Sequence, residues 1–310
     1  MRPRVIMVLA ILTIVLGGVL LVPAAYARLS GGDGDDTEAE PKPEVVAAPP
    51  PPTLSAAKVS VSMKADFFSW ALLDRKSGKI SGAGNMTSTN STESMIKVWL
   101  VSDYLRRLGD KEPSEQRLKQ ASTAIRDSND NSAQSLYVAG GGSAVVKRMI
   151  SMCGLTDTSA AANGWWSYTR ISARDAVRLG ECVKNGTAAG PKWTPWVLAE
   201  MTKVRGTTAA KDQHLKSGGG RWGIIDGLPG EILEQGPVSI KNGWTLIYAD
   251  GNWHVNCLAV ADDWVLAVLM RYPGGRGLDY GARVCASVAS QLVTPQPGAA
   301  LKVPRPLVES

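Results

Sequence analysis

Ser94-Met95-Ile96-Lys97 sets a hydroxyl three residues before an amine. On a helix, residues three apart share a face, so the Lys97 amine can reach the Ser94 oxygen. A serine hydroxyl is a weak nucleophile until a neighbouring base takes its proton. Lysine serves as that base when burial or a second cation lowers its pKa. A helix N-terminus adds backbone N–H groups suited to developing negative charge. The spacing alone has little weight, because Ser55-Ala56-Ala57-Lys58 repeats it in a segment that reads as linker. An N-cap serine with a solvated lysine accounts equally well for either copy taken alone. The Ser94 copy differs in context: it follows two strand-like segments and opens a helical one.

Two later segments carry further groups. Asn129-Asp130-Asn131-Ser132-Ala133 is a polar break followed by small residues, and Lys241-Asn242-Gly243 precedes Trp244 in an apolar stretch. Singly, they read as an interhelix turn and a hairpin strand. In this order, together with Ser94 and Lys97, they make the chain resemble the class A β-lactamase and D,D-peptidase superfamily, the penicillin-recognising serine hydrolases. The resemblance spans roughly residues 60 to 295. In that superfamily S-x-x-K, S-D-N and K-T-G converge on one cleft. Here Asn129 stands where S-D-N has serine, with Ser128 one residue earlier, and Asn242 stands where K-T-G has a hydroxyl.

The resemblance implies a role for each position. Ser94 is the expected nucleophile and Lys97 the general base. Asn131 is expected to hydrogen-bond the substrate amide and Lys97. Lys241 is expected to attract a substrate carboxylate and lower the Lys97 pKa. The backbone N–H groups of Ser94 and Trp244 form the expected oxyanion hole, a donor pair worth about 3–4 kcal/mol in acyl transfer. Asn242, Gly243, Trp244 and Trp166 are the expected substrate-side residues. An amide at Asn129 cannot relay a proton to a leaving group as a hydroxyl does. No glutamate occurs between Glu115 and Glu181. Fast β-lactam hydrolysis through a loop glutamate, the class A route, is therefore not expected. Gly164-Trp165-Trp166-Ser167-Tyr168 occupies that stretch. Its aromatics line the cleft or, for at least one of them, pack between lobes.

The elements that position these residues follow from periodicity and breakers. Strands are expected over 67–73 and 80–84, around the turn Lys76-Ser77-Gly78-Lys79. Helices are expected over 94–108, 113–126, 132–138, 143–152, 172–183 and 194–204, with 206–221 as loop. Strands over 238–249 and 253–261 join at Asp250-Gly251-Asn252, a hairpin signal. A strand over 264–271 and a helix over 280–293 close the chain. Two strands, a helical block, three strands and a helix imply an α+β fold, an antiparallel sheet flanked by terminal helices with an inserted all-helical lobe.

The ends read differently from the middle. Arg2 and Arg4 precede the apolar run Val5 to Val22, and Ala25-Tyr26-Ala27 follows. Residues 1–27 thus read as a signal peptide or a membrane anchor. Residues 28–56 are an acidic, Pro-rich linker, 57–298 the folded domain and 299–310 a tail. Export permits disulfides among Cys153, Cys182, Cys257 and Cys285. Of the three possible pairings, the expected one joins sequence neighbours, Cys153–Cys182 and Cys257–Cys285. With two histidines and no C-x-x-C spacing, zinc is not expected, nor any other metal or cofactor. His254 reads as a structural residue in an apolar strand. The formal charge is +6, which suits an anionic surface, but no basic cluster interleaved with aromatics points to nucleic acid. The expected partner is a peptide or cell-wall substrate met by a monomer, with membrane contact only through the N-terminal segment. Three functions fit: an acyl-serine hydrolase of peptide or amide bonds, a catalytically weak relative that binds cell-wall peptide or a protein, and an esterase.

Overall fold

A computed structural model describes residues 53–54, 59–214 and 216–294. The expected signal or anchor segment, nearly all of the linker and the tail lie outside the described residues, as does the second S-x-x-K copy.

Six strands build the main sheet, five of them being β1 (Phe67–Asp74), β2 (Ile80–Gly82), β6 (Gly243–Ile247), β7 (Asn252–Val260) and β8 (Trp264–Pro273). Every pairing is antiparallel, in the order β2-β1-β8-β7. The edge beyond β7 is shared by β6 and the two-residue β5 (Ser239–Ile240). The expected single strand over 238–249 is thus interrupted at Lys241 and Asn242. A separate ladder pairs β3 (Thr89–Ser91) with β4 (Arg170–Ser172). Thr89-Asn90-Ser91 is wholly polar and Arg170-Ile171-Ser172 holds a single apolar residue, so neither is long enough for periodicity to indicate it. It ties the chain entering Ser94 to the chain leaving the aromatic loop.

The helical block comprises α1 (Lys97–Arg107), α2 (Glu115–Arg126), α3 (Asp130–Ala139), α4 (Ser143–Met152), α5 (Ala173–Lys184) and α6 (Gly190–Thr202). Ser114, Asn129 and Ser172 cap α2, α3 and α5 by accepting from backbone N–H groups three residues on. Helix α6 begins four residues before its expected start, because Gly190 at φ +78° turns the chain and Pro191 suits a first turn. A single turn, α7 (Gly230–Leu233), and the long α8 (Gly277–Leu292) follow.

Side chains alternate across a strand, and this assigns the two faces of the sheet. A Cβ on Gly180 of α5 would meet Val265, Leu258 and Val260. Tyr272, of opposite parity to Val265, instead meets Gly281 of α8. Helix α5 therefore covers one face and α8 the other, and β7 and β8 are buried along nearly their whole length. The α+β class is as expected. Among the described residues the terminal helix on the sheet is α8, while the opposite face is closed by the inserted block. Thr53–Leu54, within the expected linker, pair with Val293–Thr294. The expected loop over 206–221 holds one short ladder, Gln213–His214 with Ser217–Gly218. Disulfides join Cys153 to Cys182 and Cys257 to Cys285, the expected pairing.

Candidate active site

The chain leaves β3 into a 3₁₀ turn, Glu93–Ile96, which runs directly into α1. Glu93 holds φ +47° there, a sparsely populated conformation for a non-glycine residue. Ser94 lies on this turn and lines a cavity of about 850 Å³. Edge strand β6 presses against the same turn. A Cβ on Gly243 would stand 2.5 Å from Met95 N and 2.8 Å from Ser94 N. Only glycine allows the two backbones so close, which sets the Ser94 amide beside the start of β6.

Two buried amines converge on Ser128, which lines the same cavity. Lys97 Nζ donates to Asp130 Oδ1 at 2.6 Å, to Ser128 Oγ at 3.2 Å and to the Ser128 carbonyl oxygen. Lys241 Nζ donates to the same Ser128 Oγ at 3.1 Å and to the Asn242 carbonyl oxygen at 2.9 Å. The Trp166 ring caps Lys97, its centroid 5.4 Å from Nζ. Burial lowers the Lys97 pKa to about 8, against the opposing pull of Asp130. Lys241 is pushed well below the usual lysine range by burial first and by the nearby Lys97 cation second. The resting ammonium of Lys97 is bonded to Ser128 and Asp130 rather than to Ser94, whose hydroxyl makes no hydrogen bond among the described residues.

Several expected residues take other places. Asn129 is the N-cap of α3, its Oδ1 accepting from Ser132 N at 2.8 Å, so its side chain turns along the helix and not toward Lys97. The hydroxyl between the amines belongs to Ser128, which holds φ +50°. The residue on Lys97 is Asp130, a carboxylate, whereas Asn131 lines the cavity one residue further along α3. Asn242 is buried and donates to the carbonyl oxygens of Gly220 and Trp222, at 3.0 and 2.8 Å. It braces that loop and does not line the cavity. Lys241 is also fully buried, under Ser128. Trp244 and Trp166 line the cavity. The Trp244 indole donates to Gln213 and the Trp166 indole to Gln134, each at 2.9 Å.

Sequence reasoning missed Glu93. Its carboxylate is buried and lines the cavity. It accepts from Ser91 Oγ at 2.6 Å and from Thr245 Oγ1 at 2.7 Å. Ser91 Oγ lies 2.7 Å from His254 Nδ1, and His254 Nε2 lies 2.8 Å from Asp250. His254 is thus packed as expected, but within a polar chain reaching from the surface to the residue before Ser94. Burial raises the Glu93 pKa to about 7, opposed by the two hydroxyl donors. No spacing rule links these positions, because the contacts span three strands. Among the described residues there is no cluster of three His, Cys, Asp or Glu side chains suited to a metal.

The arrangement has the parts of an acyl-transfer site: a free hydroxyl at an open cavity, amides beside it, and two amines joined by a second hydroxyl. The fold is that of the class A β-lactamases. The β-lactamase from Streptosporangium roseum superposes with a TM-score of 0.55 at 14% identity, over 73% of this chain and 91% of that one. An ancestral class A β-lactamase gives 0.52 at 15% identity, over 72% and 92%. A mutant of PBP-A, solved as its acyl-enzyme complex with penicillin G, gives 0.53 at 14% identity, over 72% and 88%. In sequence the chain is similar to the putative lipoprotein LppW of Mycobacterium tuberculosis and Mycobacterium bovis, 27% identical over 189 residues. That match covers 60% of this chain and spans 56% of the relatives' length. No family model matches the chain.

Proposed function

We propose that this chain, which carries the class A β-lactamase fold, is a serine acyltransferase-type hydrolase that attacks an amide or lactam carbonyl through Ser94. The observation that carries this reading is the convergence of Lys97 and Lys241 on the hydroxyl of Ser128, which lines one cavity with the unbonded Ser94. In the reaction the Ser94 oxygen bonds the carbonyl carbon, and its proton passes to the neutral fraction of Lys97. The carbonyl oxygen takes the amides of Ser94 and Trp244. The C–N bond then breaks, and the leaving nitrogen takes a proton from Ser128, which is refilled from Lys97. Ser128 thereby does the relay work that Asn129 cannot.

The ester that results has no glutamate aimed at it from the aromatic loop, so hydrolysis is slow and the protein behaves more like a penicillin-binding protein than a β-lactamase. A cell-wall stem peptide is the substrate class that fits. The lipoprotein relatives and the two disulfides support an envelope location. A weak or non-catalytic relative that binds such peptides is the second reading, favoured by the Lys97–Asp130 ion pair, which holds the base protonated. Intact mass after incubation with penicillin G separates them. A single penicilloyl adduct absent from Ser94→Ala supports the enzyme, whereas no adduct, or one that survives the substitution, leaves the binding reading.

A further inference from the structure

The cavity extends past Ser94 to a pair of exposed aromatic rings. Trp165 is 66% exposed and Tyr168 is 37% exposed. Their ring centroids are 6.2 Å apart, with planes 29° from parallel. A single exposed ring is ordinary, but two adjacent exposed rings in one cavity make a contiguous apolar patch of the kind that marks binding sites. Their loop is held in place: Tyr137 Oη donates to the Gly164 carbonyl oxygen at 2.8 Å, and Trp166 is buried against Lys97.

Three exposed carboxamides line the same cavity as the rings. Asn131 and Gln134 stand three apart on α3, and Asn163 sits just before Trp165; all line the cavity. The Gln134 oxygen accepts from the Trp166 indole at 2.9 Å, and the Asn163 oxygen accepts from Trp165 N at 3.0 Å. With the oxygens occupied, the amide nitrogens are left as donors. They make no hydrogen bond among the described residues. Asn131 has neither end engaged there.

We propose that Trp165 and Tyr168 form a platform for a pyranose ring of an N-acetylated oligosaccharide, with the carboxamides of Asn131, Gln134 and Asn163 donating to its carbonyl and hydroxyl oxygens. A sugar ring offers C–H groups on a flat face and acceptor oxygens around its edge. That pattern matches two open ring faces in one cavity with N–H donors. An aliphatic chain would cover the rings but use none of the donors, which are exposed to water. The platform is independent of whether Ser94 reacts.

Titration calorimetry of the full chain with triacetylchitotriose tests this, with octanoylglycine as the aliphatic comparison. Saturable binding of the saccharide is expected to wild type and equally to Ser94→Ala, so failure of the acyl-transfer reading leaves this result untouched. Trp165→Ala is expected to weaken it about ten-fold, the loss usual for an aromatic anchor. Asn163→Ala is expected to weaken it by a smaller factor. Trp165 is exposed, so its replacement should leave the melting temperature unchanged. Absence of saturable saccharide binding, binding indifferent to Trp165→Ala, or preference for octanoylglycine overturns the proposal.

Discussion

Lys97 and Asp130 form an ion pair of 2.6 Å in which the ammonium is fully buried and the carboxylate is 40% exposed. Burial pushes the amine toward neutrality, while Asp130 pulls it back toward the charged form. The balance leaves the base largely protonated at neutral pH and directs its protons away from Ser94. In the proposed reaction Ser94 is activated only once one amine is freed.

Acylation should accordingly speed up with pH. A general base acts only when deprotonated, and Lys97 loses its proton near pH 8. The rate of penicilloyl adduct formation is expected to rise from pH 6 to an inflection near 8, then level off. A flat profile would show that another group takes the Ser94 proton.

Asp130→Asn removes the counter-charge while keeping an acceptor for Lys97. Because Asp130 holds the Lys97 pKa up, the inflection should move to lower pH. At pH 7 about a tenth of a base of pKa about 8 is neutral, so a shift of one unit raises the rate about five-fold and complete deprotonation about ten-fold at most. Stopped-flow acylation of the variant across pH checks this. An unmoved inflection contradicts the role given to the ion pair.

Glu93 predicts a pH-dependent stability. Its folded pKa of about 7 lies above its ordinary 4.5, so the fold favours the protonated carboxyl. That contribution is complete below pH 4.5 and is lost as pH rises through 7, up to on the order of 3 kcal/mol. Glu93→Gln cannot ionise, so its melting temperature should gain on wild type as pH goes from 5 to 8. A constant difference would place the ionisation of Glu93 outside the folding balance. Arg170, Asp130, Lys97 and His254 also face this region, and the comparison between variant and wild type cancels their own titrations to first order.

Gly243→Ala should disable the site while leaving the core intact. The added methyl would meet the backbone at Met95 and Ser94 inside 3 Å. Overpacking of this kind costs about 1–3 kcal/mol. The oxyanion amides would also move apart, so adduct formation should fall about 100-fold or more. Thermal melting and adduct kinetics measured together separate the two effects. Wild-type kinetics in a folded variant would mean that β6 is not held where described.

Much of the fold was legible because its signals are local. The Asp250-Gly251-Asn252 turn, the Lys76-Ser77-Gly78-Lys79 turn and the apolar strands that flank them each act within a few residues. Spacing likewise placed Ser94 and Lys97 at one helix start. The β3–β4 ladder escaped because three residues are too few to show a period, and Thr89-Asn90-Ser91 is wholly polar.

The amino-acid sequence by itself determined the α+β layout, the helix-start position of Ser94 and Lys97, and the neighbour pairing of cysteines as the expected one. Tertiary structure decided which residues meet. A left-handed turn at Ser128 sends that hydroxyl between the amines, leaves Asn129 to cap α3 and brings Asp130 to Lys97. The approach of β6 at Gly243 brings Thr245 onto Glu93. Side-chain direction at a helix entry depends on one backbone angle. Contacts across a sheet depend on chain segments 150 or so residues apart, so neither can be read from local composition.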